Sequence, residues 1–244
     1  LYLSKKNFDV DIVSYENIIL KKMSFFKDYT HIINTSIHPK YINEKYNKKF
    51  DLDLNLIRKF KKINFFYIFL NSRKIYLQND SLTEQSKLKP INNYAKNKTI
   101  TEKKLHKIVK KQFISLRISN VLGNRIFKNG RHNHKIFLDN FLNYRKKKNY
   151  LVVNDDYKDF ITINQFCTIV RKIIEKNIYG IYNVSLGKKI FISELISWLD
   201  KNFFKRIKFI KKKEDSFTLS NKKLLDKIQI QITKNQVKIF CKKL

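Results

Sequence analysis

Six apolar residues in a row, Phe65 to Leu70, stand between Asn64 and Asn71. A run of strand length that is apolar on both faces must be covered on both. Comparable runs lie at His31 to Asn34, Phe113 to Ile118 and Ile181 to Val184, and between them apolar residues recur near a helical period. Leu52, Leu56, Ile57 and Phe60 mark one such stretch within 42–62, and Ile100, Leu105 and Ile108 mark another from Asn92 to Lys111. The alternation predicts an α/β fold, a doubly wound parallel sheet with its ligand crevice beyond the carboxyl ends of the strands. Phe8 to Val13 reads as a further strand, with Leu1 to Lys6 as the tail of a helix before it. Leu82 to Pro90 is turn-like, and 124–133 is an open loop containing Gly130.

Beyond Ile136 the pattern becomes a smaller mixed region: a helix over 136–142, a short strand from Tyr150 to Val153 and a helix from Asn164 to Glu175. The Ile181 strand follows, then a turn at Gly187 and a helix near Ser193 to Leu199, with Ser193 available as a cap. The expected division is therefore 1–135 and 136–244, the second part including segments that return to the core.

The formal net charge of +33 on 244 residues attracts phosphate backbones without regard to sequence. Only eight of the 53 basic residues are arginine, the side chain suited to bidentate phosphate and base contacts, and the lysines are spread evenly. That distribution fits a solvated surface better than a specific nucleic-acid groove. Cys167 and Cys241 form no redox or metal-binding spacing, in keeping with a reducing, cytoplasmic setting. No apolar run approaches the roughly 18 residues of a membrane span, and no cleavable leader pattern is expected at Leu1.

Tyr94 and Lys98 lie four apart on the expected helix and share one face. A phenol is a poor acid or base at neutral pH, and a nearby ammonium brings its ionisation toward the working range. The spacing alone is weak, because Tyr2/Lys6, Tyr41/Lys45 and Tyr144/Lys148 repeat it. Ser72 ends the Phe65 strand, where a hydroxyl either meets a ligand or satisfies local backbone. His132 and His134 fall in the open loop, and Trp198 with its apolar neighbours reads as core.

Four blocks in order set these residues in context: Leu70-Asn71-Ser72-Arg73-Lys74-Ile75-Tyr76; Pro90 with Tyr94, Lys98 and Glu102; Leu116-Arg117-Ile118-Ser119-Asn120-Val121-Leu122-Gly123; and Lys158-Asp159-Phe160-Ile161. Together, over about Leu1 to Leu199, the chain resembles the extended short-chain dehydrogenase/reductase family, the NAD-dependent epimerase/dehydratases of nucleotide sugars. The resemblance implies a Rossmann-like fold and NADP or NAD as cofactor. It implies Ser72, Tyr94 and Lys98 as the catalytic residues, with Tyr94 exchanging a proton with the sugar oxygen, Ser72 polarising it, and Lys98 holding a ribose hydroxyl. Asn34, Thr35 and Ser36 would line the cofactor, and Ser14 would stand where an acidic residue often accepts the adenosine ribose. Asn120 and Lys158 would contact substrate, Lys158 near the nucleotide phosphates.

Arg73 and Lys74 occupy the place of the Asp-Glu pair that the dehydratases use, so dehydration is not expected. The implied activity is reduction of a nucleotide-linked 4-keto sugar, with 4-epimerisation or an inactive structural relative as alternatives. Its partners would be a nucleotide sugar and a second copy of the chain, docked near Ile42 and Ile100, with no specific nucleic acid and no membrane. None of the four glycines precedes Gly123, so the family's first strand and glycine-rich turn are not within the sequence, and the fold is expected to be N-terminally incomplete.

Overall fold

The computed structural model describes residues 2–60, 64–123, 141, 151–211 and 215–244. Its centre is a parallel sheet of four strands in the order β1 (His31–Ile33), β2 (Phe66–Ser72), β3 (Phe113–Ile118) and, from late in the chain, β8 (Gly180–Val184). The register aligns Ser72 with Ile118 and Ile118 with Val184, so three strands end level. Side chains alternate across β2: Tyr67 and Phe69 pack with Phe113, Leu105, Leu54, Ile57 and Phe60 on one side of the sheet. Ile68 packs with Ile114, Leu116, Ile169, Ile173, Val184, Leu224 and Ile228 on the other. Full burial of each such side chain stabilises the fold by about 1.5–3 kcal/mol.

The helices α1 (Tyr15–Leu20), α2 (Pro39–Asn43), α3 (Leu52–Phe60) and α4 (Asn93–Val109) precede β3. The stretch within 42–62 is thus divided: Asn47 caps a 3-10 turn at Lys48–Phe50, and only then does α3 begin. Asn92 starts α4 by accepting a hydrogen bond from the Ala95 amide at 2.9 Å. After β3 come β4 (Asn120–Leu122), β5 (Leu151–Asn154), β6 (Tyr157–Lys158) and β7 (Phe160–Thr162), then α5 (Ile163–Glu175), which a Thr162/Gln165 capping box begins. β8 leads to β9 (Ile190–Phe191), α6 (Ile192–Leu199), α7 (Lys201–Phe204), β10 (Ile207–Ile210), α8 (Lys222–Ile228) and α9 (Lys234–Cys241). β4 pairs with β7 and β5 with β10, both parallel, while β6 and β9 are antiparallel.

Three expectations are corrected. Phe8 to Val13 joins no sheet among the described residues, and Ile12 is 80% exposed; an extended segment without a neighbouring ladder leaves its backbone groups to water. The opening helix tail is a short 3-10 turn at Ser4–Lys6 that ends at Asn7 in the left-handed region. Ser193 does not cap α6; its amide and hydroxyl both donate to Asp155, at 2.8 and 2.9 Å. Trp198 packs against the core cluster of the later region. Gly130, His132, His134, most of the 136–142 helix and the boundary at 135/136 lie outside the described residues.

Candidate active site

β2 delivers Ser72 to the carboxyl edge of the sheet, where its hydroxyl accepts from the Lys74 amide at 3.3 Å and caps a 3-10 turn at Arg73–Ile75. Tyr94, in the first turn of α4, brings its phenol near that hydroxyl. Burial raises the phenol's pKa, the neighbouring Ser72 side chain opposes that rise, and the negative charge of Asp53 adds to it. Tyr94 is therefore a neutral phenol at physiological pH, able to donate a proton.

Lys98 lies one turn further along α4 and is buried. Its ammonium sits 3.7 Å from Asp53 Oδ2 and over the Phe69 ring, 4.5 Å from the centroid. Burial lowers its pKa, against the pull of Asp53 and Asp51. The structure thus sets Tyr94 near Ser72, and holds Lys98 beside a carboxylate that the sequence reading did not single out. Asp53 also accepts from the Tyr67 hydroxyl at 2.7 Å and from Asn34 Nδ2 at 3.0 Å, and burial raises its pKa. Its neighbour Asp51 accepts from Thr101 at 2.7 Å, Tyr46 at 2.8 Å and the Leu54 amide at 3.0 Å.

Among the other expected residues, Asn34 folds back on the loop after β1, with its Oδ1 accepting from the Ser36 amide at 3.0 Å. Thr35 and Ser36 are exposed beside it. Ser14 caps α1 through the Asn17 amide at 3.3 Å and is not among the side chains gathered around Ser72. Asn120 follows β3, and its Nδ2, like the Ser119 hydroxyl before it, is buried without a hydrogen-bond partner among the described residues. Lys158 donates to Asp215 Oδ2 at 3.1 Å and to the Asp215 carbonyl at 3.3 Å. Arg73 clasps the same carboxylate through two bonds of 3.0 and 2.6 Å and stacks on Phe217, 3.7 Å from its centroid. Asp159, beside Lys158 in sequence, is buried and accepts from the amides of Leu186, Gly187 and Leu219 at 2.8, 3.1 and 3.1 Å.

The family model for NAD dependent epimerases/dehydratases matches residues 23–185, well over half of the chain. The chain belongs to the NAD dependent epimerase/dehydratase family. Solved structures show the same fold at low identity. A UDP-N-acetylglucosamine 4-epimerase from Methanobrevibacter ruminantium M1, in complex with UDP-N-acetylmuramic acid, is 20% identical, with TM-score 0.69 over 90% of this chain and 76% of that one. The enzyme WbmG of Bordetella bronchiseptica, in complex with NAD and UDP, is 17% identical, with TM-score 0.72 over 91% and 73%. RMD from Pseudomonas aeruginosa, complexed with NADPH, is 17% identical, with TM-score 0.64 over 87% and 80%. No curated protein matches by sequence.

Within this member of the epimerase/dehydratase family, two acids near the site were missed from sequence. Asp53 was detectable, since it precedes Leu56, Ile57 and Phe60 by three, four and seven residues and so lies on the inward face of α3. Asp215 meets Arg73 across 142 positions of chain, and no local pattern announces it.

Proposed function

We propose that this chain carries NAD(P)-dependent oxidoreduction of a nucleotide-linked sugar, with reduction of a 4-keto group as the first reading. The observation that carries it is the placement of Ser72 at the carboxyl edge of β2 with the Tyr94 phenol near it, and Lys98 on the next turn of α4. A sugar oxygen accepting from Ser72 would receive the proton held on Tyr94 Oη, and in the reverse direction Tyr94 would take it back. A bound nicotinamide supplies or accepts the hydride. The fit to such a cofactor rests on exposed Thr35 and Ser36, on Lys98, and on the unpartnered amide of Asn120, which is a donor for sugar or nicotinamide. The pyrophosphate-binding glycine turn is not among residues 1–244. Ser14 carries no charge to repel a 2′-phosphate, so NADP and NAD are both accepted in this reading. Lys158 and Arg73, which share the Asp215 carboxylate, are the cations that would meet the nucleotide phosphates in this reading.

The likeness to a 4-epimerase favours a second reading, 4-epimerisation by the same three residues. Dehydration is disfavoured, because the side chains after Ser72 are Arg73, bound to Asp215, and Lys74. No helix among the described residues is long and apolar enough to cross a membrane; a cytoplasmic homodimer completes the proposal.

The test is cofactor oxidation by the full chain with UDP-, dTDP- and GDP-linked 4-keto sugars, alongside interconversion of UDP-sugars without net cofactor change. Turnover in the first arm supports the reductase and in the second the epimerase. Tyr94→Phe should lower either rate about 10²- to 10⁴-fold. A folded, cofactor-binding protein inert in both arms would instead be a structural relative.

A further inference from the structure

A carboxylate on the inward face of α3 needs a reason. Burying it is costly, and breaking even with an ion pair demands well-placed partners; a neutral side chain of the same shape is commonly no worse for stability. Asp53 nevertheless gathers groups from three elements: Asn34 from the loop after β1, Tyr67 from β2 and Lys98 from α4. Two of these, Asn34 and Lys98, are the residues that would line the cofactor. The side chains of Asp53 and Lys98 are each 7% exposed, so water screens their charges little.

We propose that Asp53 is a positioning residue: its carboxylate fixes the Lys98 ammonium in place and ties it to Asn34, so that the two cofactor-lining groups are set together. The inference rests on the reading of Tyr94, Lys98 and Ser72 given above and adds to it the group that governs the lysine. The other titratable groups facing the pair are Asp51 just before α3, Tyr67 from β2, Tyr41 from α2, Tyr15 from α1 and Tyr94 from α4. His38 lines the small void beside Tyr41 and Asp53. Among these, Asp53 is the stronger of the two acids that favour the charged lysine. It also opposes ionisation of Tyr94. Removing its charge therefore moves both titrations toward lower pH.

The experiment measures NADH and NADPH affinity of the full chain by fluorescence titration across a pH series, for the wild type, Asp53→Asn, Asp53→Glu, Lys98→Met and the double variant Asp53→Asn/Lys98→Met. Asp53→Asn should bring the alkaline loss of affinity down by about one pH unit, the lower end of the effect of an opposite charge at this range. Asp53→Glu, which keeps the charge, should return it toward the wild-type position. Asp53→Asn should add nothing in the Lys98→Met background. An Asp53→Asn protein that melts earlier yet keeps the wild-type pH limb overturns the inference, as does an equal effect of Asp53→Asn with and without Lys98. If Asp53→Asn does not fold, Asp53→Glu decides: loss of the alkaline limb with the charge retained also overturns it. A wild type that binds neither cofactor overturns the functional reading itself and this inference with it, an outcome distinct from the others.

Discussion

Asp159 is a carboxyl that burial pushes up to about 7, even though three backbone amides donate to it. Its folded-state pKa stands above the ordinary carboxylate value of about 4. The stability tied to it is therefore fully present below pH 4 and is lost as pH rises through about 7. Urea unfolding from pH 4 to 8 should show the wild type losing stability relative to Asp159→Asn over that window, and parallel curves would show that the group titrates normally. At this scale the sequence was readable where chemistry and position coincided. Ser72 at a strand end and Tyr94 at a helix start could be picked out, because each position follows from the extent of an apolar pattern. Asp53 was legible too, since its spacing from Leu56, Ile57 and Phe60 turns it inward, but what it meets there comes from other elements and is not written in its own stretch.

Between elements, α4 is fastened to β2 and β3 by Glu102. Its carboxylate accepts from Arg117 at 2.6 and 3.1 Å, from Asn71 at 2.7 Å and from the Ser115 hydroxyl. Arg117 in turn donates to the Tyr76 hydroxyl at 2.9 Å, which donates to Asn183 on β8 at 2.7 Å. This buried chain of bonds runs across three adjacent strands and holds α4, and so Tyr94, at a fixed distance from Ser72. Glu102→Gln leaves the guanidinium without its anion and should cost about 3–5 kcal/mol in denaturant unfolding; a change under about 1 kcal/mol would show that solvent reaches the pair. Strands β2, β3 and β8 were legible because continuous apolar runs of their length suit a doubly covered sheet. Phe8 to Val13 instead alternates apolar residues with Asp9 and Asp11, the pattern of a half-covered strand, and only a bonded neighbour, which residue order does not reveal, separates such a strand from an extended loop.

For the whole molecule, the +33 charge is what remains after 20 acids are set against 53 bases, and most of those bases are lysines. Binding to DNA should therefore be indifferent to sequence and collapse between about 50 and 200 mM salt. Titration of two unrelated duplexes at both ionic strengths checks this, and a preference that survives the higher salt would point to a specific groove. Asp215 is one acid that joins the later part of the chain to the crevice, answering at once to Arg73, next to Ser72, and to Lys158 on β6. Loss of Asp215 would leave two cations without their anion, whereas loss of either cation leaves the other still paired. Among descendants of a common ancestor, Asp215 should accordingly disappear only together with Arg73 and Lys158, while either cation can change alone.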